Sequence, residues 1–137
     1  MRQCLSSKVY PTRIQSHSVA PPTTEVLRPP ALSVRFRSAN ATGQPSVSIA
    51  GSFRVLDDEH LMFADIASPR TVANLEANPQ VCGIVFDPAN RHGCRVWGTA
   101  AVLSSGELFD KMNADLAARK MQARHVVVIT VNEFTTF

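Results

Sequence analysis

The segment from Ser68 to Pro79 limits the folds open to this chain more than any other part of the sequence. Pro69 follows Ser68 directly, and Pro79 closes the segment. Proline suits the first turn of a helix, but it removes a backbone donor and ends a helix that it interrupts. Serine is a favoured residue at the position before a helix. The segment therefore predicts one short helix with sharp boundaries.

Strand signals lie on both sides of this helix. Leu32, Val34 and Phe36 alternate with polar residues, the period of a half-buried strand. The strands are predicted at residues 32–37, 47–55, 61–64, 81–86, 94–103 and 126–131, with a second helix at about 104–123. Five or six strands with two helices favour a mainly β fold, built as a small barrel or strongly curled sheet.

Composition favours one domain preceded by an arm. The chain has 137 residues, and 45% of them are hydrophobic, enough for one compact core. Residues 1–30 are rich in Ser, Pro, Thr and Gln and show no steady hydrophobic period, which predicts a poorly ordered N-terminal arm. The folded domain is expected at residues 31–137.

Several classes of protein receive no support from the sequence. No apolar run approaches the roughly 20 residues that span a bilayer, so no membrane association is expected. The cysteines Cys4, Cys82 and Cys94 have neither zinc-site spacing nor the pattern of a disulfide framework, which fits a reducing cytoplasm. No two histidines have metal-ligand spacing, and no Ser/His/Asp set stands out, so neither a metal site nor hydrolase chemistry is predicted.

The charge pattern does not choose between partners. A net charge of +3 from scattered basic residues would suit nucleic acid, an anionic membrane or a phosphate-bearing ligand equally well. Only 18% of residues are charged, which leaves room for part of the surface to be covered by another subunit. The composition therefore points to an oligomer.

The start of the first helix is a candidate phosphate site. A helix N-terminus offers unpaired N–H groups and the positive end of the helix dipole. Arg70 adds a guanidinium that can bind two phosphate oxygens, and Thr71 adds a hydroxyl. The alternative is that Ser68 only caps the helix and Arg70 is a solvated surface charge.

A second candidate feature is a run of small and polar residues in the second predicted strand. It consists of Ser46, Ser48, Ala50, Gly51 and Ser52. Small side chains in a strand often mark a place where a ligand or another backbone comes close. The run therefore predicts a surface that a ligand can approach.

These features occur together in a known family. The run from Gly43 to Phe86, the return strand from Arg95 to Leu103 and the segment from Ala123 to Val131 resemble the pyridoxamine 5′-phosphate oxidase-like, FMN-binding split-barrel family. The resemblance covers about Ala31 to the C-terminus. It implies a six-stranded antiparallel split barrel that forms a homodimer, with one FMN per subunit in a groove at the subunit interface.

The resemblance also implies roles for particular residues. The strand segment would lie along the flavin ring, the helix start would bind the FMN phosphate, and two further residues would approach the flavin of the partner subunit. The implied cofactor-binding residues are, in that order, Ser46, Ser48, Ile49, Ala50, Gly51 and Ser52; Ser68, Arg70 and Thr71; Gln122 and Phe137. No catalytic residue is implied.

The expected function is that of a cytoplasmic FMN-binding oxidoreductase or electron carrier. The full oxidases have a longer C-terminal region that grips the substrate, whereas this chain ends at Phe137, so oxidation of pyridoxamine phosphate is not expected. Two alternatives remain open from the sequence. One is a ligand-binding module without redox turnover, and the other is a deazaflavin or haem in the same groove.

Overall fold

A computed structural model describes residues 33–137 as one curled antiparallel sheet with two helices. The strands are β1 (Ser33–Ala39), β2 (Pro45–Ile49), β3 (Arg54–Val55), β4 (His60–Asp65), β5 (Gln80–Asp87), β6 (His92–Leu103) and β7 (His125–Thr136), and the helices are α1 (Pro69–Ala77) and α2 (Glu107–Ala117). The strand order is β2-β1-β5-β6-β7-β4-β3. The mainly β class with two helices is confirmed, but the sheet has seven strands and not the expected six.

The additional strand arises where the second predicted strand divides. Residues 47–55 were expected as one strand, but β2 and β3 lie at opposite edges of the sheet. The linking residues 50–53 span at most about 14 Å, so the two edges must curl toward each other. The N–H of Ala50 donates to the Val34 carbonyl in β1 at 3.2 Å, which anchors this crossover. A curled sheet with nearly meeting edges is the form expected of a split barrel.

The hydrophobic core has two parts. The larger lies inside the curled sheet, where the ring of Phe36 stacks on that of Phe63 with centroids 5.2 Å apart. The smaller lies under α2, where Met112 and Leu116 pack against Val126 of β7. Burial of apolar side chains on both sides of β7 explains why its first half is nearly all β-branched.

The predicted boundaries are correct for α1 but not for α2. The first helix begins at Pro69 and ends before Pro79, as predicted. The second covers Glu107–Ala117 and is shorter than expected at both ends. Gly106 precedes it with a φ of 103°, a conformation that favours glycine, and Lys120 after it has a φ of 55°, which is outside the right-handed helical range. The N–H of Ala123 instead donates to Asn113 Oδ1 at 2.7 Å, which closes the loop after α2.

The two cysteines in the described residues have different surroundings. Cys94 is fully buried in the core inside the sheet. Cys82 is a free thiol whose pKa is raised by burial, against the influence of Arg95 and Arg37.

The predicted arm at residues 1–30 lies outside the described residues. No helix within residues 33–137 is long and apolar enough to cross a membrane.

Candidate functional site

The start of α1 is held by a buried carboxylate at the end of β4. Asp65 is 2% exposed, and its Oδ1 accepts the backbone N–H of Ser68 at 2.7 Å. Ser68 occupies the predicted N-cap position, but its side chain makes no capping hydrogen bond. Asp65, three residues earlier, instead fixes the backbone of the N-cap residue itself. The Ser68 hydroxyl is consequently not committed to the helix.

The first turn of α1 presents one exposed cation. The N–H of Thr71 donates to the Ser68 carbonyl at 3.0 Å, and Thr71 is buried. Arg70 is exposed, and the ion pairs of the described residues join other groups. A free guanidinium beside the positive end of a helix dipole is suited to an anion. The first turn therefore retains the properties that predicted a phosphate site.

Helix α1 packs over the strand that precedes β2. Asn74 in α1 is buried, and its amide donates to the Ser38 hydroxyl in β1 at 3.1 Å. Ser38 lies directly opposite Ser46 of β2 in the sheet register. This register places the start of β2 next to the strand that α1 covers.

The two faces of β2 differ sharply. Ser46 and Ser48 are half-buried, whereas Val47 and Ile49 on the other face are 59% and 77% exposed. Among the described strands, β2 pairs only with β1, so it is an edge strand with backbone groups open on its outer side. Ile49 thus lies on the exposed apolar face and not beside the two serines.

The crossover after β2 reaches the connection that leads into α1. Ser52 Oγ accepts the N–H of Ala64 at 2.7 Å and lies 3.3 Å from the Ala64 carbonyl, to which it donates. Ala64 directly precedes Asp65, the residue that holds α1. Ala50 is buried and Gly51 is exposed. The structure therefore brings the end of the small-residue run close to the predicted phosphate turn.

Sequence reasoning missed His125 as a member of this cluster. Its Nδ1 lies 3.2 Å from Asp65 Oδ2, so one carboxylate contacts both the histidine and the Ser68 N–H. The two residues are far apart in the chain and meet because Asp65 and His125 are opposite each other in the β4–β7 register. No spacing motif could have found the pair. Gln122, in the loop before β7, is exposed near the same end of the sheet.

Phe137 lies at the other end of β7. Its ring stacks on Phe86 with centroids 6.1 Å apart, and the Arg95 guanidinium lies 5.6 Å from the ring centre. The residues of β7 advance about 3.3 Å each, which separates the ends of the strand by roughly 35 Å. Within one chain, the structure does not bring Phe137 together with Arg70.

The described residues 33–137 contain no group of three or more His, Cys, Asp or Glu side chains that could hold a metal ion. Asp65 and His125, the acid and the histidine at the join of β4 with α1, contact each other. The features of this site are thus a helix start with an exposed arginine and an open strand edge.

A curled antiparallel sheet of this topology, with a phosphate-suited helix between β4 and β5, defines the split-barrel class of proteins. The family model described as pyridoxamine 5′-phosphate oxidase matches residues 25–137. The chain belongs to this family. No curated protein matches the sequence.

Solved structures share the fold at low sequence identity. HupZ from Group A Streptococcus is 22% identical with a TM-score of 0.72, and the match covers 77% of this chain and 84% of HupZ. An FMN-binding protein from Syntrophomonas wolfei is 18% identical with a TM-score of 0.68, over 76% of each chain. HutZ, the haem storage protein from Vibrio cholerae, is 20% identical with a TM-score of 0.60, over 77% of this chain and 84% of HutZ.

An F420 reductase also matches, with 23% identity and a TM-score of 0.60 over 85% of this chain and 98% of the reductase. At these identities the matches establish the shared fold. Proteins whose names specify FMN, haem and F420 therefore all use this architecture.

Proposed function

We propose that the protein binds FMN and acts through it as an oxidoreductase or electron carrier. Family membership supports the proposal, and the observation that carries it is the first turn of α1. There, Arg70 is exposed at the positive end of the helix while the Ser68 side chain makes no capping bond. The same turn lies beside the crossover after β2, as a ligand with a phosphate at one end and a flat ring at the other would require.

The residues present fit FMN by their chemistry. Arg70 can bind two phosphate oxygens, and the Ser68 hydroxyl can donate a further hydrogen bond. Buried Thr71 fixes the turn through its N–H bond to the Ser68 carbonyl. When bound, FMN supplies the redox chemistry, while the protein orients it and tunes its surroundings.

The ring of the cofactor would meet the open edge of β2. The outer N–H and C=O groups of this edge strand can hydrogen-bond to a polar ring, and the short side chains of Ser46 and Ser48 let a ligand approach. Ala50 and Gly51, which are also small, follow in the segment that links β2 to β3. Ser52 does not offer its hydroxyl proton to a ligand, because that proton is already donated to the Ala64 carbonyl.

The proposed assembly is a homodimer. Val47 and Ile49 expose apolar surface on the outer face of β2, where a second copy could cover it. Phe137 lies too far from the α1 turn of its own chain to share a cofactor with it, so its predicted contact with flavin requires a second subunit. Gln122 is likewise proposed to contact the flavin of the other subunit.

A different ligand in the same groove is the second candidate. It is favoured by the fold shared with HutZ, the haem storage protein, and with the F420 reductase. In either case the protein could act as a binding module without redox turnover, since no described cluster of side chains forms a recognisable catalytic set. Oxidation of pyridoxamine phosphate is not part of the proposal.

The absorbance spectrum of the freshly purified protein tests the choice of ligand. We expect flavin bands, or their appearance after FMN is added to apoprotein and unbound FMN is removed. A haem Soret band, or a deazaflavin spectrum with no FMN uptake, would replace FMN by the second candidate. Oxidation of NADH or NADPH by the FMN-loaded protein, compared with free FMN, then separates an oxidoreductase from a binding module.

A further inference from the structure

A buried hydrogen bond ties α1 to the sheet. The side-chain amide of Asn74 donates to the Ser38 hydroxyl in β1 at 3.1 Å, and each residue is 6% exposed. Within residues 33–137, it is the only side-chain hydrogen bond that joins α1 to a strand. The rest of the buried face of the helix consists of Thr71, Val72 and Leu75. The position of α1 on the sheet therefore depends on packing and on this one directional contact.

Packing and the hydrogen bond constrain the helix in different ways. Burial of an apolar side chain such as Leu75 is non-directional, so it tolerates a small slide or rotation of the helix. A hydrogen bond instead holds its nitrogen and oxygen within about 2.7–3.2 Å of each other. Arg70 lies one turn before Asn74, about 6 Å along the helix axis. The bond therefore fixes where the turn that carries Arg70 lies relative to β1.

The strand end of this bond lies next to the other proposed contact of the cofactor. Ser38 is the register partner of Ser46 in β2, and paired strands lie about 4.8 Å apart. β2 is the edge strand along which the flavin ring is proposed to lie. The bond from Asn74 to Ser38 thus connects the helix that carries the phosphate turn to the strand pair that carries the ring edge.

FMN needs these two contacts at one spacing, because a ribityl chain of fixed covalent length joins its ring to its phosphate. A site that is already held in the bound geometry binds more tightly than one that must be ordered. The pair itself contributes little net stability, since replacing both partners by apolar groups of the same shape is nearly neutral. Its contribution is then to the geometry of the site.

We propose that Asn74 is a positioning residue for FMN. Through its bond to Ser38 it sets the spacing between the first turn of α1 and the edge of β2. This spacing favours a flavin that carries a phosphate at the end of its ribityl chain over one that lacks the phosphate. Asn74 acts through the position of Arg70, since its own amide is buried and bonded. The inference rests on the proposed FMN function.

A double variant separates positioning from stability. Ser38→Ala alone leaves the Asn74 amide buried without its partner, which lowers the free energy of unfolding. Ser38→Ala combined with Asn74→Leu replaces both polar groups by apolar ones and should return that free energy close to the wild-type value. Urea denaturation measures stability. Quenching of flavin fluorescence measures the dissociation constants of FMN and of riboflavin, which has the same ring but no phosphate.

We expect the double variant to bind FMN roughly threefold to tenfold more weakly than the wild type, which is part of the roughly tenfold to hundredfold loss expected when a hydrogen bond to a charged group is removed. Riboflavin should bind both proteins equally, because it has no phosphate to place at the turn. Asn113→Ala is the matched control, since Asn113 also makes a side-chain hydrogen bond, to the Ala123 N–H at 2.7 Å, but lies on α2. It should lose stability and keep the wild-type affinity for FMN.

A double variant that regains stability and binds FMN as tightly as the wild type would overturn the inference, because the bond would then serve stability alone. Equal weakening of FMN and riboflavin binding would also overturn it, since the effect would not concern the phosphate. If the double variant does not fold, Ser38→Ala is compared with Asn113→Ala at a temperature where both are folded. Equal FMN affinities of these two variants would then overturn the inference.

The wild type distinguishes this inference from the function on which it rests. In each of these overturning cases, FMN binding by the wild type would leave the proposed function standing. Failure of the wild type to bind FMN would instead reject the proposed function, and the role of Asn74 with it.

Discussion

The hydroxyl of Ser52 spans the closing edges of the sheet by bonding twice to one residue, Ala64. It accepts the Ala64 N–H at 2.7 Å and donates to the Ala64 carbonyl at 3.3 Å. Ser52 belongs to the crossover from β2 to β3, while Ala64 lies near the end of β4. A residue that the sequence suggested as a cofactor contact therefore fastens the barrel next to the proposed site.

Ser52→Ala should destabilise the fold. The substitution leaves the partly buried Ala64 N–H without its acceptor, which costs about 1–3 kcal/mol. Urea denaturation followed by circular dichroism measures the change. Ser105→Ala, in an exposed turn, is the control and should change stability by less than about 0.5 kcal/mol. Equal midpoints for the two variants would show that the Ser52 contact contributes nothing to stability.

Arg70→Ala should weaken FMN binding while leaving the fold intact. Loss of a hydrogen bond to a charged group costs about 1.5–3 kcal/mol, which corresponds to a dissociation constant raised roughly tenfold to a hundredfold. Fluorescence titration with FMN measures it. Arg119→Ala removes an exposed arginine after α2 and should bind FMN normally. If Arg70→Ala binds as tightly as Arg119→Ala, Arg70 is not at the phosphate.

Ile49→Asp should break the proposed homodimer. Ile49 is 77% exposed on the outer face of β2, so the substitution should not disturb the core, but it places a charge in the apolar contact between copies. Sedimentation analysis at several protein concentrations should give a dimer for the wild type and a monomer for the variant. Thr42→Asp, in the exposed turn before β2, should remain dimeric. A monomeric wild type would contradict the proposed homodimer.

Asp87→Ala should lower the free energy of unfolding, and the loss should be larger at neutral pH than at strongly acidic pH. The side-chain amide of Asn90, 2.6 Å from Oδ2, holds the pKa of Asp87 below its ordinary value against the effect of desolvation, and the N–H groups of Asn90 and Ala89 assist. A carboxyl whose pKa is lower in the folded state stabilises the fold above its unfolded pKa of about 3.9, and this contribution is lost as the pH falls through the folded value.

Urea denaturation at neutral and at strongly acidic pH measures this effect. The difference in unfolding free energy between the wild type and Asp87→Ala should be larger at neutral pH. Glu76→Ala removes an exposed carboxylate on α1 and serves as the control. A difference that did not depend on pH would mean that Asp87 acts through packing and not through its charge.

Local signals in the sequence were enough to predict most elements of the fold. Pro69 and Pro79 fixed both ends of α1, and period-two alternation identified β1, since both signals act within a few residues. The division of residues 47–55 into two strands was not predictable in the same way. It depends on the curl of the whole sheet, which sends β2 and β3 to opposite edges.

The candidate site shows the same limit. The helix dipole and Arg70 could be inferred from the local sequence, because a phosphate site at a helix start needs only adjacent residues. The contact of Asp65 with His125 depends on the pairing of β4 with β7. Such contacts between distant residues become visible only once the strand register is known.

The most direct test of the central claim is a crystal structure of the protein grown with excess FMN. The account predicts the phosphate at the first turn of α1, within hydrogen-bond distance of the Arg70 guanidinium and the Ser68 hydroxyl, with the flavin ring along the edge of β2. An FMN bound elsewhere, or a first turn that points away from any groove between two subunits, would contradict it.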